Sequence, residues 1–235
     1  MERQLDRETL AKLLQAENIR DVPYPDLLRL FRAEAGMSNY LPDGVYQVDP
    51  RNGDRILYHS SRARRPHDNR PAQTVPPEEL DQECVICQGQ TTGLIDVAEL
   101  SRGFTFINKN LFPILYPFDT TGSAHQTDTG DHEPQAGESS ASAYGAGDHE
   151  PQTGESSASA YGLHLLQWTS SVHDRDWHNM ALSDCVVVME RLAALEKKLI
   201  VESGAYMPAS EDGGHGFVLI VKNYGRLVGG SLAHG

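Results

Sequence analysis

Cys84-Val85-Ile86-Cys87, with Gly89 just after it, has a spacing that can do chemistry. Two thiolates two residues apart can grip one tetrahedral zinc ion, because the intervening turn brings both sulfurs to one side. Two other readings stand beside it: a redox pair and two buried thiols among Val85 and Ile86. No thioredoxin-like βαβ pattern surrounds the pair, which counts against the redox reading. A second group is Ser60-Ser61-Arg62-Ala63-Arg64-Arg65-Pro66-His67-Asp68. Arginines clustered near a strand end can form bidentate bonds to phosphate oxygens, although charge alone fits a solvated basic turn better. A third group closes the chain: Asn223, then Gly225, Gly229, Gly230, Ser231 and His234 before Gly235. Glycines let the backbone approach a ligand, and their amides with the Ser231 hydroxyl can cradle phosphate oxygens. The plain alternative is a frayed chain end.

Several elements must position these groups. Leu5, Leu10, Leu13 and Leu14 fall near one face of an amphipathic helix over residues 2–17. Pro23 and Pro25 interrupt it, and a second helix is expected from Asp26 to Ala35, stopped by Gly36. Asn52-Gly53, between two alternating runs, predicts a hairpin. Gly103–Ile107 and Leu163–Thr169 read as strands, and Asn108 and Asn110 follow the first of them. Ser183 is expected to cap a long helix whose apolar face carries Cys185, Val188, Met189, Leu192, Leu195 and Leu199, with Gly204 as its stop. Phe217–Val221 reads as a buried strand feeding the Gly-rich end.

Residues 119–162 contain a tandem repeat. Gly130–Gly145 recurs as Gly147–Gly162 with Thr153 in place of Ala136. Gly, Ser, Asp and Glu dominate, so the segment cannot bury enough surface to offset ordering entropy, and it reads as a disordered insertion. It holds eight acidic side chains and no Lys or Arg, and without them the formal charge of −13 becomes −5. The remaining chain is only mildly acidic, so nucleic acid is not an expected partner. A small anionic ligand stays possible, because it needs only local cations. The 39% hydrophobic content suffices for a core. No apolar run is long enough to span a membrane, and the charged N-terminus lacks the apolar stretch of a secretory signal. Three cysteines, two of them paired in sequence, suit a reducing, cytoplasmic setting.

Taken in order, these motifs resemble the N-terminal half of the galactose-1-phosphate uridylyltransferases, a family of the histidine-triad superfamily. The hairpin followed by Arg62-Ala63-Arg64-Arg65-Pro66 resembles that family's opening. Cys84/Cys87, Asn110 with Phe112, His173 after a small-residue corner, and Asn223 through His234 follow in the family's order. Ser171-Val172 departs from the usual small-residue-proline corner before the histidine. The resemblance implies an α+β fold: a histidine-triad-like antiparallel sheet flanked by helices over residues 43–235, preceded by a helical extension over 1–42. It implies Arg62, Arg65, Asn110, Asn223, Gly229 and Ser231 as contacts to a nucleotide-sugar and a sugar phosphate. It further implies zinc held by Cys84, Cys87, His173 and His234. Asn108 competes with Asn110 for the nucleoside role, and His164 competes with His173 for the metal.

The implied chemistry is uridylyl transfer through a covalent nucleotidyl-histidine. The family's nucleophile is the second His of His-x-His. His234 matches the first and Gly235 the spacer, so the nucleophile would be residue 236 and no catalytic residue is expected within these 235. Two alternatives accompany this reading. One is a nucleotide phosphorylase of the same superfamily, acting on an ADP-sugar or a dinucleoside polyphosphate. The other is a non-catalytic module that binds zinc and nucleotide. A homodimer is a further expectation.

Overall fold

The computed structural model describes residues 3–57, 59–60, 84–117, 158–203 and 218–223. Arg62, Arg65, Gly229, Ser231 and His234 lie outside the described residues, as do residues 119–157 of the insertion.

Among the described residues the architecture is α+β, with three α-helices and two small antiparallel sheets. Helix α1 spans Arg7–Leu13. Asp6 starts it by accepting the Thr9 amide proton at 2.8 Å, a capping bond that satisfies one orphan donor. The helix is shorter than the 2–17 expected, because Leu14 and Gln15 leave it to bond the sheet. Leu14 forms a parallel bridge to Leu94, and Gln15 N–H donates to the Leu94 carbonyl at 2.8 Å. Helix α2 spans Tyr24–Arg32, beginning before the expected Asp26 because Pro25 is tolerated in a first turn. Gly36 does not stop it; the helix ends at Arg32, and Gly36, at φ −77°, leads into a short 3₁₀ turn over Met37–Tyr40.

Strands β1 (Val45–Val48) and β2 (Arg55–Leu57) form the hairpin expected around Asn52-Gly53. Gly53 takes φ +77°, and the Asp49 carboxylate accepts from Arg51. The second sheet has the order β3-β4-β6, with β3 Leu94–Glu99, β4 Phe104–Lys109 and β6 Leu165–Trp168. Strand β5, Ala158–Ser159, pairs with β1 instead.

Every residue of the central strand β4 is buried, so its alternation sorts side chains between two cores. Ile107, with Ile95 of β3, joins Ile19, Leu27, Phe31, Met37 and Leu195 on one side. Phe104 and Phe106, with Leu94, join Leu5 and Ile86 on the other. The sheet is thus covered on one face by α2 and by helix α3 (Leu182–Ser203), and on the other by α1 and the Cys84–Gly89 turn. The first forty residues pack into both cores. Among the described residues no helix is long and apolar enough to cross a membrane.

Four expectations are corrected. Residues 158–162 are not part of a disordered insertion: they supply β5, the Ala160–Gly44 bond at 2.9 Å and the Gly162–Tyr116 bond at 3.2 Å. The α3 helix begins at Leu182, so Ser183 lies inside it and does not cap it. Met189 is exposed, whereas Val188, Ala194 and Leu195 face the core. Residues 218–221 form no strand, and Leu219, Ile220 and Val221 are exposed. Their neighbour Lys222 is instead tied to Asp176 by an ion pair at 3.0 Å.

Candidate metal centre

The Cys84–Gly89 segment is a tight knuckle. Gln88 N–H donates to the Cys84 carbonyl at 3.0 Å, Gly89 N–H to Ile86 at 2.9 Å and Gln90 N–H to Val85 at 2.8 Å. These bonds fold the chain back on itself and turn both sulfurs to one side. Ile86, between the cysteines, is buried in the core shared by Leu5 and Phe104, which anchors the knuckle. Gly89 takes φ +72°, the left-handed region that favours glycine. A Cβ there would also meet the Thr9 methyl of α1 at 2.2 Å.

His173 reaches the knuckle from the turn after β6. Its Nδ1 lies 3.6 Å from Cys87 Sγ, and the ligand atoms of Cys84, Cys87 and His173 all lie within 4.8 Å of one another. Tetrahedral zinc, with sulfur at about 2.3 Å and nitrogen at about 2.05 Å, spaces those two ligands about 3.6 Å apart. The group can therefore hold a metal ion without large rearrangement. Burial pushes the Cys87 thiol up to about 12, and the neighbouring Cys84 and the charge of Asp174 add to the shift while Arg3 opposes it. A metal ion bound there would have to displace that proton.

Asn110 stands elsewhere. It follows β4, whereas His173 follows the antiparallel β6, so the two lie at opposite ends of the sheet. Asn110 Oδ1 accepts the Phe112 amide proton at 2.9 Å, and its Nδ2 lies 3.0 Å from Nε2 of His164. The His164 Nδ1 accepts from the Ile114 amide at 3.0 Å. His164 is thus a partner of Asn110, and it is His173 that sits beside the cysteines. The Phe112 ring is 4.3 Å from that of Tyr40, which leaves an aromatic pair next to the Asn110 amide. The competing Asn108 is spent inside the sheet: it accepts from Trp168 Nε1 at 3.1 Å and donates to Thr91 and Thr92. Asn223 is exposed, one residue beyond Lys222. Lys222 pairs with Asp176, which also accepts from Thr169 at the end of β6. Asn223 therefore lies toward the His173 end of the sheet, away from Asn110. A cavity of about 430 Å³ between the end of α1 and α2 is lined by Gln15, Val22, Asp26 and Arg29 among others, and by none of the candidate residues.

Arg3 and Asp174, whose charges act on Cys87, carried no signal in the sequence. Neither belongs to a motif, and Arg3 is distant in sequence from every ligand. No protein-family model, no curated protein and no solved structure matches this chain.

Proposed function

We propose that this chain is a zinc-stabilised, nucleotide-binding module of the uridylyltransferase type. The observation that carries the reading is the convergence of Cys84, Cys87 and His173, two sequence-distant parts of one ordered pattern, on a single point. The donor set of two thiols and an imidazole suits zinc, whose role here is structural: it holds the knuckle and the turn after β6 together. At the other end of the sheet, Asn110 is buried near the Phe112–Tyr40 aromatic pair, its amide already bonded to Phe112 and His164, and the nucleobase contact is assigned to it on the resemblance alone. Arg62 and Arg65 are assigned to the phosphates of a nucleotide-sugar, and Asn223, Gly229 and Ser231 to its phosphate-side loop, on the resemblance alone. His234 is assigned as the fourth zinc ligand on the same ground.

Metal analysis and ligand-observed NMR test this reading on the purified chain. One zinc ion per chain is expected, with saturation-transfer signals from the uracil protons of UDP-glucose that are lost in Asn110→Ala. Binding of ADP-glucose in preference to UDP-glucose would move the assignment to a nucleotide phosphorylase. Zinc-loaded protein that binds neither nucleotide would leave a metal module without a nucleotide site.

A further inference from the structure

The segments that carry the metal candidates are in direct contact with the N-terminal segment. The His173 amide donates to the Arg3 carbonyl at 3.0 Å, and the Leu5 amide donates to the Ser171 carbonyl at 3.2 Å. Gln4 forms an antiparallel bridge with Val172. Residues 3–5 therefore run as a short strap along the turn that presents His173. On the other side of the centre, Leu5 and Ile86 share one core, and Leu10, Leu13 and Leu14 of the helical segment pack against it. Gly89 is pressed onto α1 so closely that a Cβ would meet Thr9 at 2.2 Å, Leu5 at 3.4 Å and Leu13 at 3.5 Å. Both ligand-bearing segments, the knuckle and the His173 turn, are thus walls of the seat in which residues 3–14 lie.

We infer that metal binding at Cys84, Cys87 and His173 latches the N-terminal segment, residues 3–14, onto the sheet. The inference rests on the metal reading above and adds a consequence for the fold. An ion bridging the knuckle to the His173 turn fixes the separation of the two walls. Without it the Cys87 Sγ–His173 Nδ1 approach of 3.6 Å is not held by a metal bond, and the seat for the strap and α1 is freer to open. The other face of the sheet does not depend on the ion. There α2 and α3 are held by their own core and by the buried Asp96–Arg191 pair. Metal loss should therefore open one face of the molecule and leave the other closed, a local opening of low free energy. Linkage makes the coupling reciprocal: loosening α1 must weaken metal binding by the same factor.

Hydrogen–deuterium exchange of the full chain, zinc-loaded and after removal of zinc with a strong chelator, tests the latch. Amides of residues 5–15 and 84–90 should exchange at least about tenfold faster without zinc, while those of α2, β4 and α3 change little. Leu5→Ala, which leaves every ligand in place, should weaken zinc affinity measured by competition with a chromophoric chelator. Zinc binding with unchanged exchange in α1 would overturn the latch and leave the metal site standing. Equal loss of protection in α1 and α3 would also overturn it, because the ion would then hold the whole fold. Failure of the chain to bind zinc at all would remove both the latch and the metal reading.

Discussion

Gly89 shows how much one missing side chain decides. Its φ of +72° disfavours any Cβ, and the space a Cβ would take is filled by the Thr9 methyl. Gly89→Ala should destabilise the chain by about 1–3 kcal/mol, measured by denaturant unfolding. Thr9→Ser removes that methyl and keeps the hydroxyl that donates to Asp6, so it should recover part of the loss. No recovery would mean that the cost lies in the backbone alone. Asp176 makes a prediction about pH. Burial raises its pKa, but the Trp177 amide, the Lys222 ammonium and the Thr169 hydroxyl outweigh burial and hold it below the ordinary carboxylate value. A carboxylate with a lowered folded-state pKa stabilises the fold fully above its unfolded value of about 3.9, and that contribution is lost as pH falls below it. Asp176→Asn should therefore lower the melting temperature at pH 7. The gap to the parent protein should narrow below about pH 4. A gap independent of pH would show that the charge of Asp176 contributes nothing.

Between elements, two largely buried charged pairs fasten α3 and the segment after α2 to the sheet. Arg191 of α3 bonds Asp96 of β3, with Nε 2.8 Å from Oδ2, and it also reaches Asn18 at 2.8 Å. Asp96 in turn accepts the Ile19 amide at 2.8 Å, so one carboxylate joins helix, strand and N-terminal turn. Arg191→Met would leave that carboxylate buried and unpaired, at a cost of about 3–5 kcal/mol. Adding Asp96→Asn should restore most of the stability, because the stranded charge is then gone. If the double variant is as unstable as Arg191→Met, packing and not charge explains the loss. Lys109, fully buried at the end of β4, donates to Gln15 at 2.7 Å and to the Leu30 carbonyl at 3.1 Å, and it pairs with Glu34 at 2.5 Å. All three partners come from the first forty residues. Desolvation lowers the Lys109 pKa and Glu34 opposes that shift. Lys109 thus ties the N-terminal elements to the sheet on the α2 side, where no metal is involved.

For the molecule as a whole, the boundary of the repeat matters more than its presence. Removing residues 119–157 should leave the melting temperature nearly unchanged, because the sequence there is acidic, rich in Gly and Ser, and poor in large apolar residues. Extending the deletion to residue 162 removes β5 and the bonds to Gly44 and Tyr116, and it should lower the melting temperature by several degrees. Equal melting temperatures for the two deletions would show that β5 adds nothing to the first sheet.

The helices, the Asn52-Gly53 hairpin and strands β4 and β6 were legible in the sequence, since each depends on a local pattern of apolar period and turn residues. The cysteine pair was legible for the same reason, as its spacing is local, whereas the burial of Ile86 that anchors it was not. Strand β3 was not. Asp96 interrupts its apolar run, and only the approach of Arg191, 95 residues away in sequence, makes a carboxylate acceptable there. The choice between His164 and His173 could not be read from one dimension either. His164 immediately precedes β6 and His173 follows it, so strand direction places them at opposite ends of the sheet. The repeat poses the same problem, since Ala141-Ser142 and Ala158-Ser159 are identical in sequence and context. The second copy supplies β5, and it lies only six residues before β6. A short tether holds that copy near β1, which is a property of the folded chain and not of the residues in the strand.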